Sequence, residues 1–171
     1  MKIAIGCDHA GINLKPVLVK YLEENGFADR IIILEESTAT VAQAAEALGV
    51  EPGMIAKTMS FIKDGKAMLV LTEGNARVDN RKFKDAFGVK AKMIPFDEVE
   101  WLVGHAPGGV CPFGVNKGVP VYLDESLKNF ETVYPAAGND HSAVKLSVKE
   151  LESVSEAVGW VDVRKQPETA E

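Results

Sequence analysis

Apolar residues recur at helical spacing near the start of the chain. Leu14, Val17, Leu18, Tyr21 and Leu22 fall on one face, which predicts a helix over Leu14–Asn25 that stops at Gly26. Pro16 is tolerated there because it lies in the first turn. The short run Lys2–Ile5 before it alternates weakly and predicts a strand. Arg30–Leu34 is β-branched and predicts a buried strand. Val41, Ala44, Ala45 and Leu48 return to helical spacing, with cap candidates in Ser37–Thr40 before them and Gly49 after. Met54–Ala56 suggests one helical turn.

Two β-rich runs, Lys57–Ile62 and Ala67–Thr72, flank Lys63-Asp64-Gly65-Lys66, and Asp-Gly between such runs predicts a hairpin. A helix is expected over Asp79–Phe87, then a strand over Val89–Ile94. Asp97-Glu98-Val99-Glu100 has the form of a capping box opening a short helix to Val103. Strands are expected at Val119–Leu123 and Thr132–Ala136, with Ala143–Leu146 pairing to the second as a hairpin. Ser147-Val148-Lys149-Glu150 is a further capping box for a helix to Ala157, and Trp160–Val163 closes the pattern as a strand. Hairpins alternate with helices, without the regular βαβ order of a Rossmann fold. The pattern therefore reads as an α+β domain with one large mixed β-sheet and helices packed outside it. Residues 1–13 form an added strand and loop, 14–163 the domain, and 164–171 a polar tail.

Composition narrows the partners. The net charge of −6 argues against a broad basic surface for DNA or for non-specific RNA binding, though not against contact with one end of a nucleic acid. No apolar run reaches membrane-spanning length. Cys7 and Cys111 show neither zinc spacing nor a disulfide framework, which fits reduced thiols in a cytoplasmic protein. His9, His105 and His141 show no metal-ligand spacing, so neither metal nor cofactor is expected. No dinucleotide fingerprint or Walker loop is present.

Gly104–Gly114 holds four glycines and two prolines in eleven residues. Such a run is a surface turn, or a loop that offers bare backbone N–H groups to a ligand. Lys57 begins a strand among small and apolar neighbours, and reads as a solvated charge or as a functional cation. Asp124 ends the strand at Val121-Tyr122-Leu123 and reads as a turn former or as a site carboxylate. Cys111 would need an activating base to act as a nucleophile, and a loop thiol is the plainer reading. His105 is a general base by residue type alone, and His141 sits in a polar turn.

Two resemblances add to this. Residues 1–25, on the motif Met1–Gly11, are similar to the amino terminus of the B-type ribose-5-phosphate isomerases, in which residues matching Asp8 and His9 contact the sugar phosphate. The later cysteine-bearing glycine loop of those enzymes is missing, so isomerase activity is not implied. From Asp29 to Val163 the chain resembles the YbaK family of aminoacyl-tRNA deacylases, the editing domains associated with prolyl-tRNA synthetase. The matching pieces are Glu36-Ser37-Thr38-Ala39-Thr40-Val41, Ile55-Ala56-Lys57-Thr58, Gly74-Asn75-Ala76-Arg77-Val78-Asp79, Gly108-Gly109-Val110-Cys111-Pro112-Phe113-Gly114, Val121-Tyr122-Leu123-Asp124 and Val133-Tyr134-Pro135-Ala136-Ala137-Gly138.

This resemblance implies a hydrolase that removes a wrong amino acid from tRNA in trans. Lys57 matches the catalytic lysine. Thr40 belongs to the pocket lining, and Gly108, Gly109 and Val110 to the loop whose backbone donors meet the substrate. Asp124 is implied to border the pocket, and Ala137 and Gly138 to form its facing wall. The implied partners are the acceptor end of aminoacyl-tRNA and prolyl-tRNA synthetase. The amino acid removed stays open among cysteine, alanine and other small ones. A binding module that holds the same end without cleaving it is the alternative.

Overall fold

The computed structural model describes residues 16–166, and the isomerase-like start lies outside them. Helix α1 spans Pro16–Glu24 and ends at Gly26. Strand β1 is Ile31–Ile33. Helix α2, Val41–Leu48, opens on Thr40, whose hydroxyl accepts from the Gln43 N–H while the Gln43 side chain accepts from the Thr40 N–H. This reciprocal cap satisfies two donors that the first turn leaves over. Thr40→Ala is expected to cost about 1 kcal/mol, and Thr40→Ser much less, as read from urea midpoints.

The centre of the fold is a hairpin of β2 (Ile55–Lys63) and β3 (Lys66–Glu73), in register from Ala56↔Glu73 to Lys63↔Lys66. Asp64 and Gly65 both take positive φ, 52° and 77°, as a two-residue turn matching the strand twist requires. A 3₁₀ turn at Pro52–Met54 leads straight into β2, so Ile55 and Ala56 are strand rather than helix. Helix α3 is Asn80–Phe87, capped by Asp79, and α4 is Val99–Val103. Strands β4 (Val121–Asp124), β5 (Thr132–Pro135), β6 (Ser142–Val144) and β7 (Leu146–Ser147) follow. Helix α5 (Val148–Val154) carries the expected Ser147–Glu150 capping box, and β8 is Gly159–Val161.

The main sheet runs β7-β5-β2-β3-β4-β8, with antiparallel and parallel pairs mixed, and β1 pairs with β6 in a separate two-stranded sheet. The expected α+β class with helices outside a mixed sheet is what the structure shows. Successive side chains of a strand face opposite ways, and β3 uses both faces. Leu69 and Leu71 pack with Leu18, Leu22, Val103 and Phe113, whereas Met68 and Val70 pack with Phe61, Phe83 and Phe87. A third cluster joins α2 to β1 and β5 through Ile32, Ala44, Leu48 and Tyr134.

Two further expectations change. Val89–Ile94 is not a strand: it makes one bridge, Phe61↔Met93, through Ile62 N–H to Lys92 O and Ile94 N–H to Ser60 O. A turn closed by Glu98 N–H to Pro95 O then carries the chain away before a further rung forms. That same turn removes Asp97 from the cap position, so α4 starts after Glu98 without a side-chain cap. The expected hairpin of Ala143–Leu146 with Thr132–Ala136 forms in one register, through Ala136↔Ala143 and Val133↔Leu146, and β6 pairs in addition with β1 on its other side.

Candidate functional site

A cleft of about 350 Å³ opens where β2 loses its neighbours. On one edge β2 meets β5 only at Ile55 and Ala56, and meets the Lys92–Ile94 segment only from Ser60 onward. The register of the hairpin turns the backbone groups of Ser60 and Ile62 toward this edge. By the same alternation the N–H and C=O of Thr58 point into the gap, where no strand lies opposite among the described residues. Above this gap sit the start of α2, the Met93–Phe96 segment and the glycine loop.

Lys57 lines the cleft, half-buried, and its Nζ donates to Ala76 O at 2.6 Å. Burial holds its ammonium below the usual lysine range; Glu73 nearby opposes that shift and Arg77 adds to it. Thr40, Gly108 and Val110 line the same cleft. Gly108 takes φ +88°, which suits glycine and turns the loop over the opening. Among the described residues, neither the Gly108 nor the Val110 N–H donates to a backbone carbonyl, whereas Gly109 N–H donates to Ala106 O.

Gly109 lies behind the cleft surface, where a Cβ would stand 2.5 Å from Asn139 Cα. The glycine loop therefore rests directly on the backbone of the Gly138–Asn139 turn. Gly109→Ala should force the two loops apart at a cost of about 1–3 kcal/mol, visible as a lowered melting temperature. Ala137 is fully buried, and Gly138 (φ +90°) packs beside Leu18 and His105, so both support the loop from below rather than wall the cleft.

Asp124 stands apart from this cleft. It is fully buried and does not line the cleft. Its Oδ1 accepts from Ser126 N–H at 2.9 Å and its Oδ2 from Val163 N–H at 2.8 Å, so both oxygens tie down main chain at the β4–β8 side of the sheet. Cys111 and His105 are also buried and away from the lining. Cys111 Sγ lies 3.4 Å from His105 Nε2, which lies 2.6 Å from Phe113 O. His141 pairs with Asp140 at 2.8 Å.

The residue pattern did not single out Thr38, Thr58, Ser60, Met93 or Phe96, all of which line the cleft. A usable signal existed: Thr58 and Ser60 put two hydroxyls on the face of β2 that Ala56 and Ile62 otherwise make apolar. Phe96 is 79% exposed and Met93 57%, an apolar rim at the mouth. Among the described residues no cluster of three or more His, Cys, Asp or Glu side chains could hold a metal ion, and no helix is long and apolar enough to cross a membrane.

A family model described as an aminoacyl-tRNA editing domain matches residues 35–154. The chain belongs to this family. The matched span begins just before α2 and ends with α5, so it contains the whole cleft. The editing domain is 44% identical over 155 residues to the uncharacterized protein YwhH of Bacillus subtilis, covering 90% of this chain and 98% of that one. It is 29% identical over 123 residues to EbsC of Enterococcus faecalis, named as a candidate Cys-tRNA(Pro)/Cys-tRNA(Cys) deacylase, covering 70% and 74% of the two chains. Among solved structures, a candidate trans-editing enzyme for prolyl tRNA synthetase superposes with a TM-score of 0.80 at 33% identity, covering 90% of this chain and all of the other.

Proposed function

We propose that this editing domain hydrolyses the ester joining a wrongly attached small amino acid to the terminal ribose of tRNA, acting in trans. The observation that carries the reading is the shared cleft: half-buried Lys57 and the loop residues Gly108 and Val110 border one cavity. Charge develops on the carbonyl oxygen when the ester carbon turns tetrahedral. Pre-placed N–H groups stabilise that charge without reorganising. Lys57 supplies a positive field and a donor for the phosphate–ribose end, which orients the ester.

In the balanced step, a water oxygen bonds to the carbonyl carbon and the bond to the ribose oxygen breaks. The ribose oxygen takes the proton, leaving free amino acid and intact tRNA. No protein nucleophile is required, in keeping with a cleft that Cys111 does not reach. The exposed Phe96 at the mouth offers a ring on which the terminal base can stack.

We further propose tRNA-Pro as the tRNA and prolyl-tRNA synthetase as the partner that holds its body. This reading is supported by the names of EbsC and of the trans-editing structure. A net charge of −6 suits a protein that grips only the acceptor end. The test is a panel of tRNAs charged with different small amino acids. Release well above spontaneous hydrolysis for at least one ester is expected. Binding of charged tRNA with no release from any member would make the domain a binding module instead.

A further inference from the structure

Charge is unevenly spread along this chain. Between Arg77 and Lys92 there are six basic and two acidic residues, a local charge of +4 in a chain whose net charge is −6. The fold gathers part of this segment on the side of the hairpin that Lys57 shares. By strand alternation Lys57, Met59 and Phe61 lie on one face of β2. Phe61 packs on Phe83 of α3, ring centroids 4.7 Å apart, so α3 covers that face. The approach to α3 is tied to Lys57 itself, whose Nζ donates to Ala76 O, the carbonyl just before Arg77. Along α3, Phe83 and Phe87 turn inward, and Arg81 and Lys84 stand on the exposed side. Lys165 N–H donates to Arg77 O at 2.7 Å and Val78 bridges Arg164, which brings Lys165 beside Arg77.

Arg77, Arg81, Lys84 and Lys165 are exposed, and among the described residues none of them forms an ion pair. Lys82 differs, since it pairs with Asp162 at 3.0 Å. Of the two carboxylates in the segment, Asp79 is engaged as the α3 cap, accepting from the Arg81 and Lys82 N–H groups, and Asp85 is exposed. Neighbouring cations without counter-charges repel one another, and a bound polyanion removes that cost. At the far end of α3, Phe87 lines a second cavity of about 320 Å³ with Lys63, Asp64 and Lys66, the two lysines directly opposite each other at the hairpin tip. Cations therefore recur from Lys57 to that tip, about 20 Å along β2. A nucleic-acid backbone carries a charge at every step and covers such a length in several nucleotides. We infer that Arg77, Arg81, Lys84 and Lys165 form a docking ridge for the phosphate backbone of a tRNA acceptor stem, which they lead toward Lys57. The inference rests on the deacylase reading above and adds where the stem of that substrate lies.

The test measures binding of an uncharged acceptor-stem minihelix across a salt series. Four phosphate contacts predict that log K falls against log salt with a slope of about −3. Arg81→Gln combined with Lys84→Gln should flatten that slope by about 2, and should weaken binding equally for minihelices of different sequence. Both side chains are exposed, so the melting temperature should stay near that of wild type. Lys149→Gln is the control and should leave the slope unchanged, since α5 packs on the opposite face of β3 from α3. A slope that the double variant does not alter overturns the inference. So does polyglutamate that displaces the minihelix as readily as RNA does, which would assign the ridge to an acidic protein. Kinetics separate this inference from the deacylase reading. For wild type, kcat/KM on a charged minihelix should fall with salt, whereas hydrolysis of an aminoacyl-adenosine, which has no stem, should barely change. Ridge-dependent binding with no ester cleaved removes the deacylase reading and keeps the ridge. Cleavage of both substrates with the same salt dependence removes the ridge and keeps the deacylase.

Discussion

Lys57→Ala is expected to lower the single-turnover rate of deacylation by about 10²–10³-fold, the usual loss when one stabilising donor is removed from a site shielded from water. Folding should survive the change. Lys57 contributes one hydrogen bond, to Ala76 O, and its charge is half-buried, so truncation removes a bond and relieves a desolvation cost together. Lys57→Arg should not rescue fully, because a planar fork cannot take the place of a compact ammonium beside Ala76 O. The pH dependence has a definite sign. Burial lowers the folded-state pKa of Lys57 below the ordinary value of 10.5, so the ammonium is lost at a lower pH than in an exposed lysine. Enzyme-dependent turnover, after subtraction of spontaneous ester hydrolysis, should fall as pH rises through that lowered pKa. Stability moves the other way. Between the folded and unfolded pKa values the unfolded chain holds more protons, so Lys57 makes the fold more stable as pH rises there. A pH–rate profile and a pH series of urea midpoints check the two signs separately.

Asp124 gives the opposite pattern, a large effect on stability with little on chemistry. Its carboxylate accepts two main-chain N–H bonds in a fully buried setting, one to Ser126 and one to Val163. Hydrogen bonds to a charged group contribute about 1.5–3 kcal/mol each, and the donors left behind have no water to turn to. Asp124→Ala should therefore cost about 3–5 kcal/mol, loosening the 3₁₀ turn at Glu125–Asn129 and the chain after β8 together. Asp124→Asn should recover only part of the loss, since an amide has one acceptor oxygen where two are used. Turnover per folded molecule at low temperature is expected to stay within a few-fold of wild type. A loss as large as that of Lys57→Ala in a fully folded Asp124→Asn protein would return this carboxylate to the site.

Much of this architecture is visible in the residue pattern, for local reasons. Asp64-Gly65 fixes the central hairpin because few other pairs accept positive φ at both positions. Thr40, Asp79 and Ser147 mark helix starts through side-chain bonds that span two or three residues. Longer-range choices are hidden. Nothing local says that Ala143, beyond its hairpin bridge to Ala136, also pairs with Ile32, a β-branched residue far off in the chain. The site divides in the same way. Lys57 and Gly108 stand out by residue type, and both reach the cleft. Asp124 matched a motif piece as well as they did, but a strand-end aspartate can serve main chain as readily as substrate, and here both its oxygens accept from main-chain N–H groups. Thr58 stayed hidden because its significance comes from an empty place beside β2, a property of sheet order rather than of sequence.

The central claim is that the aminoacyl end of tRNA is held between the start of α2, the open edge of β2 and the glycine loop. Its most direct test is amide chemical-shift mapping of the protein with a non-hydrolysable aminoacyl-adenosine. The account predicts perturbations concentrated at Thr38, Thr40, Lys57, Thr58, Gly108 and Val110, with the amides of Ser126 and Val163 unmoved. Perturbations centred on Ser126 and Val163, with Lys57 and Gly108 silent, would contradict it.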